Sequence, residues 1–317
     1  MKAIVYTEYG SPDVLQVREV PKPVPKDDEV LIKVHAASVN RSDWEGLIGK
    51  PLYARIGGLR QILGSDIAGR VEVVGKNNTQ FQPGDEVFGE LPDYRGGFAE
   101  YVCARDKLLA LKPTWMSFEE AAAIPQSGII ALHGIRDTGH VQSGQNILIN
   151  GGGGGSGMFA IQLAKMYGAE VTGVDNTGKL DFMRTLGADH VIDYTSEDFT
   201  RNGKQYDFIL DLIAHLSAFD YKRALKPNGS YFAVGGSVAT LLAIFLLGPL
   251  IRVVTSKNLR ILMVRRNRKN LETFTEFCES GKVTPVIDKR YTLSQVPEAL
   301  RYLGEGYAKG KLVITVQ

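Results

Sequence analysis

The chain has 317 residues, 44% of them apolar, with 37 basic against 35 acidic side chains and a net charge of +2. That length accommodates two domains with substantial cores, and the near-neutral balance argues against a nucleic-acid partner. Two cysteines, Cys103 and Cys278, cannot build a disulfide framework and fit a reducing, cytoplasmic setting; the first six residues read as a strand, not a signal peptide.

In chain order, residues 1 to about 122 read as all-β, with apolar runs at 30–34 and 69–74, a Pro83-Gly84 turn entering a strand, and a further strand at 98–102. From about Ser117 the pattern turns helical, and six strand candidates then alternate with helices: 147–149, 171–174, 190–192, 208–210, 230–234 and 261–264. That alternation predicts a parallel, doubly wound sheet. The tail predicts helices over 271–280 and 296–304 and a closing strand over 311–316.

The densest signal is Asn150-Gly151-Gly152-Gly153-Gly154-Gly155-Ser156-Gly157, which follows the 147–149 strand and opens an apolar helix face. Gly152, Gly154 and Gly157 fit G-x-G-x-x-G, with Gly155 and Ser156 at the helix start. Glycine there allows a tight turn and close approach to a pyrophosphate, and the free amides and dipole of the helix start favour its charge. The next strand ends at Asp175, about 20 residues on, where a ribose-binding carboxylate belongs. The motif predicts dinucleotide binding.

Residues 238–251 form a nearly continuous apolar run. A spanning helix needs about 20 such residues, and Gly248-Pro249 is expected to break this one after roughly ten. A buried or pocket-lining helix is the expectation, with Leu242, Phe245 and Leu246 offering apolar surface to a flat substrate. A dimer interface and contact with a membrane surface are the alternatives.

Several phrases together resemble the zinc-free quinone-oxidoreductase branch of the medium-chain dehydrogenase/reductase superfamily. They are Ala36-Ala37-Ser38-Val39-Asn40-Arg41-Ser42-Asp43-Trp44, Leu63-Gly64-Ser65-Asp66-Ile67-Ala68-Gly69, Gln82-Pro83-Gly84-Asp85-Glu86-Val87, Gly97-Phe98-Ala99-Glu100-Tyr101, Leu186-Gly187-Ala188-Asp189-His190-Val191-Ile192-Asp193-Tyr194 and Gly310-Lys311-Leu312-Val313-Ile314. The resemblance implies an α/β protein with a GroES-like β-barrel catalytic domain (1–122 and 266–317) and a Rossmann NAD(P)-binding domain (123–265), assembled as a homodimer. Where zinc-dependent relatives carry catalytic ligands, this chain has Asn40, Ser65 and Gln126, which are poor zinc donors, so no metal is expected. The implied activity is zinc-independent hydride transfer from NAD(P)H to a small hydrophobic electrophile, a quinone or an α,β-unsaturated carbonyl. An alcohol dehydrogenase-like enzyme and a non-catalytic NAD(P)-binding or membrane-associated regulator are the alternatives.

By the same resemblance, Asn40 bonds the nicotinamide carboxamide or the acceptor oxygen, and Tyr53 shapes the mouth of the site or donates a proton. Gln126, Ser127, Gly235, Gly236 and Lys311 lie beside the cofactor. Asp175 favours NADH, because a carboxylate bonds a free ribose hydroxyl and repels a 2′-phosphate. Lys179 and Tyr194 align with phosphate-binding positions and favour NADPH. The balance goes to NADPH, with NADH as the alternative.

Overall fold

The computed structural model describes residues 1–56, 58–59, 61–91 and 95–316. The chain divides into two compact units, one comprising Met1–Ser127, Arg266–Phe277 and Pro285–Gln317, the other Gly128–Arg265 and Cys278–Thr284. The division therefore falls at 127 rather than 122, and seven residues of the tail group with the second unit.

The first unit opens with β1 (Lys2–Val5), β2 (Gln16–Glu19) and β3 (Glu29–Val39), followed by α1 (Arg41–Ile48), β4 (Asp66–Val74), β5 (Glu86–Glu90), β6 (Tyr101–Arg105), β7 (Leu109–Leu111) and α2 (Phe118–Ala122). Helix α3 (Pro125–Leu132) contains the division between units. The front is thus not all-β. Helix α1 is short and ends at Gly49, whose left-handed φ of 62° suits glycine. Helix α2 starts on a capping box in which Ser117 and Glu120 bond each other's backbone amides.

The second unit alternates β8 (Asn146–Asn150), α4 (Gly155–Met166), β9 (Glu170–Asp175), α5 (Leu180–Thr185), β10 (His190–Asp193), β11 (Tyr206–Asp211), α6 (Ala218–Ala224), β12 (Leu225–Ala233), α7 (Val238–Thr255) and β13 (Asn258–Ile261). Its sheet runs β10-β9-β8-β11-β12-β13, all parallel. The order reverses between β8 and β11, so the loop after β8 sits at the switch point where ligands bind in doubly wound sheets. Ile147, Leu148 and Ile149 are fully buried, as expected of a strand covered on both faces.

Two expectations shift here. The last sheet strand is 258–261, not 261–264, because those four residues pair with Ser230–Ala233 of β12. Helix α7 does not break at Gly248-Pro249 but continues for 18 residues. A Cβ at Gly248 would collide with the Leu259 carbonyl, so this glycine lets the helix lie close to β13. Pro249 and Phe245 are exposed, so the Phe245 carbonyl that loses its helical donor is left to water.

The tail supplies α8 (Arg268–Glu279), β14 (Ile287–Thr292), α9 (Val296–Gly304) and β15 (Lys311–Thr315). Strand β15 pairs with β3 in the first unit's seven-stranded sheet, ordered β14-β15-β3-β4-β5-β7 with β6 also on β3. The last strand of the chain thereby puts Lys311 beside the end of β3, next to Asn40.

Candidate functional site

The glycine loop shows different reasons for each glycine. A Cβ at Gly152 would meet Met183 Sδ at 2.7 Å, one at Gly153 would meet Lys179 Cδ at 2.7 Å, and one at Gly157 would collide with the backbone of Gly151 and Gly152. Backbone packing requires glycine at Gly157, while at Gly152 and Gly153 the Met183 and Lys179 side chains lie close above the loop. At Gly154 a Cβ would meet only the Gly151 carbonyl, at 3.5 Å, and its φ of −88° and ψ of −178° suit any residue. Nothing in the chain needs glycine there. Open space at the N-cap of α4, beside first-turn amides that have no intrahelical acceptor, is the form of an anion cradle. Gly155, Ser156 and Gly157 supply that first turn.

Asp175 ends β9 and is buried. Its Oδ2 accepts the Gly153 N–H at 3.0 Å, its Oδ1 accepts the Asn176 N–H at 2.9 Å, and Lys179 Nζ lies 3.4 Å from Oδ1. Lys179 is 8% exposed and so is not a solvated helix-start lysine. The two opposing cofactor signals are thus partners: Asp175 fixes the glycine loop, and its charge is met by Lys179. Tyr194 follows β10, is 55% exposed, and donates its N–H to the Asp175 carbonyl at 3.2 Å. Gly236, at φ 149°, approaches the Ala214 backbone too closely for any side chain, while a Cβ at Gly235 would make only an ordinary 3.9 Å contact with the Leu212 carbonyl.

The first unit holds a buried polar cluster where β3, β4, β5, α1 and β15 converge. Asn40 Nδ2 donates to Ser65 Oγ and to Asp66 Oδ2, both at 2.9 Å. Asn40 Oδ1 accepts from Lys311 Nζ at 2.5 Å and from Ser127 Oγ at 3.4 Å. Lys311, 1% exposed, also reaches Ser127 Oγ at 3.3 Å and Asp66 Oδ2 at 3.6 Å. Gln126 donates through its backbone N–H to Asp66 and through Nε2 to Glu90 Oε1 at 3.0 Å, and its Oε1 accepts from Ser42 Oγ at 3.0 Å. Asp43 accepts the N–H groups of Asn40 and Gly64, at 2.8 and 3.1 Å.

An asparagine amide has two donor hydrogens and two acceptor lone pairs. All four on Asn40 are in use within this cluster, so the expected direct bond to a carboxamide or an acceptor oxygen requires one of them to open. Lys311 is likewise committed within the cluster, to Asn40, Ser127 and Asp66. Tyr53, 37% exposed, sits on the short turn Leu52–Arg55. Glu90, paired with Arg266 at 3.1 Å and facing Asp66 across β4 and β5, is a member that the sequence pattern did not single out. Its local signal is an acid closing the apolar run Val87-Phe88-Gly89, which is buried.

Burial raises all three carboxyl groups. Asp43 is pushed to about 7 by desolvation, against the backbone N–H groups that lower it. Glu90 reaches about 7 through desolvation and then the charge of Asp66. Desolvation raises Asp66 and lowers Lys311, each opposed by the other's charge. Every hydrogen bond to the Asp66 carboxyl comes from a donor, from Ser38, Asn40 and the Gln126 amide, so it is held as a carboxylate facing the Lys311 ammonium. The three positions at which zinc relatives carry ligands are amide, hydroxyl and amide, wired around an ammonium. Among the described residues no group of three His, Cys, Asp or Glu is placed to hold a metal.

Residues 26–114 match the family described as the alcohol dehydrogenase GroES-like domain, and 186–314 match the zinc-binding dehydrogenase family. The chain is 38% identical to a 2-methylene-furan-3-one reductase of Solanum lycopersicum, across 99% of this chain and 79% of the relative. It is 36% identical to an Arabidopsis thaliana chloroplastic NADPH-dependent alkenal/one oxidoreductase, over the same shares. The solved quinone oxidoreductase from Coxiella burnetii superimposes with a TM-score of 0.88 at 31% identity, covering 100% of this chain and 99% of that one.

Proposed function

This chain belongs to the quinone-oxidoreductase-like branch of the medium-chain dehydrogenase/reductase superfamily, and on that premise we propose how its residues serve the reaction. It is an NADPH-dependent oxidoreductase that transfers hydride to an enone or a quinone. When bound, the nicotinamide would supply a proton and two electrons together as hydride, and the acceptor takes its second, balancing proton separately.

The observation that carries the residue assignment is the open space over Gly154, set against the tight packing at Gly152, Gly153 and Gly157. We assign the pyrophosphate to this cradle and to the first-turn amides of Gly155, Ser156 and Gly157. Lys179 and Tyr194 are assigned to the adenosine 2′-phosphate, with Asp175 holding Lys179 in place as well as the loop. Gly235, where a Cβ would clash with nothing in the chain, is assigned to a close approach of cofactor to backbone, and Gly236 to the turn beside it.

In the first unit the roles differ from a metal site. An alcohol must be polarised before it can be oxidised, which is what a Lewis-acid zinc does. An enone or a quinone is already electrophilic. The Lys311–Asp66 pair supplies a fixed buried charge that holds the amide of Asn40 and, through Gln126 and Ser127, the start of α3. Tyr53 is assigned to the acceptor oxygen as the proton donor. A homodimer is the assembly we propose, with β13 at the edge of its sheet among the described residues. Cys103 and Cys278 are free thiols, which supports a reducing compartment such as the cytoplasm.

The test is NADPH oxidation against a panel of simple quinones, enals and enones, with Tyr53→Phe alongside. Turnover of an enone or a quinone, slowed chiefly in kcat by Tyr53→Phe, agrees with the assignment. Turnover untouched by that change removes Tyr53 from it.

A further inference from the structure

We propose that the outer face of α7 docks on the surface of an anionic lipid bilayer. The helix has two opposed stripes. Thr240, Ile244, Gly248 and Ile251 are buried, with Ile244 and Ile251 in the same core as Leu259. Leu242, Phe245, Leu246, Leu250, Val253 and Val254 are between 55% and 87% exposed. Their spacing of three, one, four, three and one residues keeps them on one side of a helix. This is a contiguous apolar strip of the kind that water-soluble surfaces avoid unless it meets something.

At 1.5 Å per residue, the 18-residue helix is about 27 Å long, enough to cross a bilayer. Its packed stripe ties it lengthwise to the sheet, so it can lie in a membrane interface but cannot span one. Charge selects the occupant. Within the second unit, residues 221–265 carry seven Lys and Arg and no Asp or Glu, of which Arg223 and Lys226 pair with Asp220 and Asp207, in a protein whose overall balance is only +2. Arg252 is exposed in the last turns of α7. Lys257 donates to the Lys222 carbonyl at 3.0 Å, and burial together with the Lys222 charge lowers its pKa. None of these three cations pairs with a carboxylate among the described residues. An apolar strip ending in unpaired cations matches a layer of acyl chains under anionic headgroups. An isologous contact between two copies would instead set this cationic surface against itself.

The test is co-sedimentation of the full chain with vesicles of phosphatidylcholine alone and of phosphatidylcholine mixed with phosphatidylglycerol. Mass in solution and turnover of a water-soluble enone are followed in parallel. The variants are Val253→Asp with Val254→Asp, and separately Arg252→Glu. Both valines are over 80% exposed, so the double variant keeps its fold, and thermal unfolding checks this. The expected result is binding to the mixed vesicles that salt weakens, reduced by about tenfold or more in the valine variant and severalfold in Arg252→Glu. Mass and turnover stay unchanged. Failure of the wild-type chain to bind the mixed vesicles overturns the proposal, as does equal binding by the valine variant. A variant of halved mass would show that a second copy covers this face, and it too overturns the proposal. Loss of turnover with vesicle binding intact would assign the strip to the reaction instead.

Discussion

Replacing Lys311 with methionine removes the one ammonium within the Asn40 cluster and keeps most of the side-chain volume. Asp66, fully buried and 3.6 Å from that ammonium, then has no cation beside it and takes up a proton. Protonating a carboxyl of ordinary pKa about 3.9 at about pH 8 costs about 5.6 kcal/mol, at 1.36 kcal/mol per unit; at about pH 5.5 it costs about 2.2 kcal/mol. The variant should therefore be destabilised at both pH values, and by about 3 kcal/mol more at the higher one. The protein's two tryptophans, Trp44 and Trp115, both lie in the first unit, so urea unfolding followed by tryptophan fluorescence reads the affected unit. Adding Asp66→Asn to Lys311→Met removes the carboxyl and should restore most of the loss at about pH 8. A destabilisation that is equal at the two pH values, or that the second change does not relieve, would refute the idea of a buried charge pair at this site.

Gly154→Val should weaken NADPH binding at least about 100-fold, about 2.7 kcal/mol, while shifting the unfolding curve by less than about 1 kcal/mol; unchanged affinity by calorimetry would move the phosphate elsewhere. Lys179→Met should weaken NADPH by roughly 1.5–3 kcal/mol, the scale of a charge-assisted hydrogen bond, and NADH by much less; equal losses would show that Lys179 serves only to hold Asp175. Glu90 has a folded pKa raised from 4.5 to about 7, so its contribution to stability is present below about pH 4.5 and lost as pH rises through 7, by about 3 kcal/mol. Glu90→Gln should flatten the decline in first-unit stability over that window by about this amount, and parallel curves for variant and wild type would contradict the raised pKa.

What was legible in the sequence was local. The strand, glycine loop, helix and second strand around 147–175 lie within about 30 residues, although the side chains packed on Gly152 and Gly153 come from Met183 and Lys179 beyond them. Helix α9 and strand β15 were visible in the same way, as periodic runs close to turn signals. What was not legible depends on partners far apart in sequence. Lys311 bonds Asn40 across 271 positions, and nothing near either residue shows that the Asn40 amide is fully committed. Asp175 and Lys179 pointed to opposite cofactors while read as independent residues, and the structure makes them one ion pair. Gly248-Pro249 carried the usual signal of a helix end. Its meaning changes once the glycine faces β13 and the proline faces water, an orientation that only the packing of α7 decides.

The central claim is direct hydride delivery from NADPH to an electrophile that needs no metal to polarise it. NADPH carrying deuterium at the transferring position of the nicotinamide should be reacted once with an α,β-unsaturated ketone and the product read by mass spectrometry and NMR. The account predicts one deuterium at the β-carbon, the carbonyl intact, and the same result after prolonged chelation. Deuterium at the carbonyl carbon of an alcohol product, lost on chelation and restored by zinc, would contradict it.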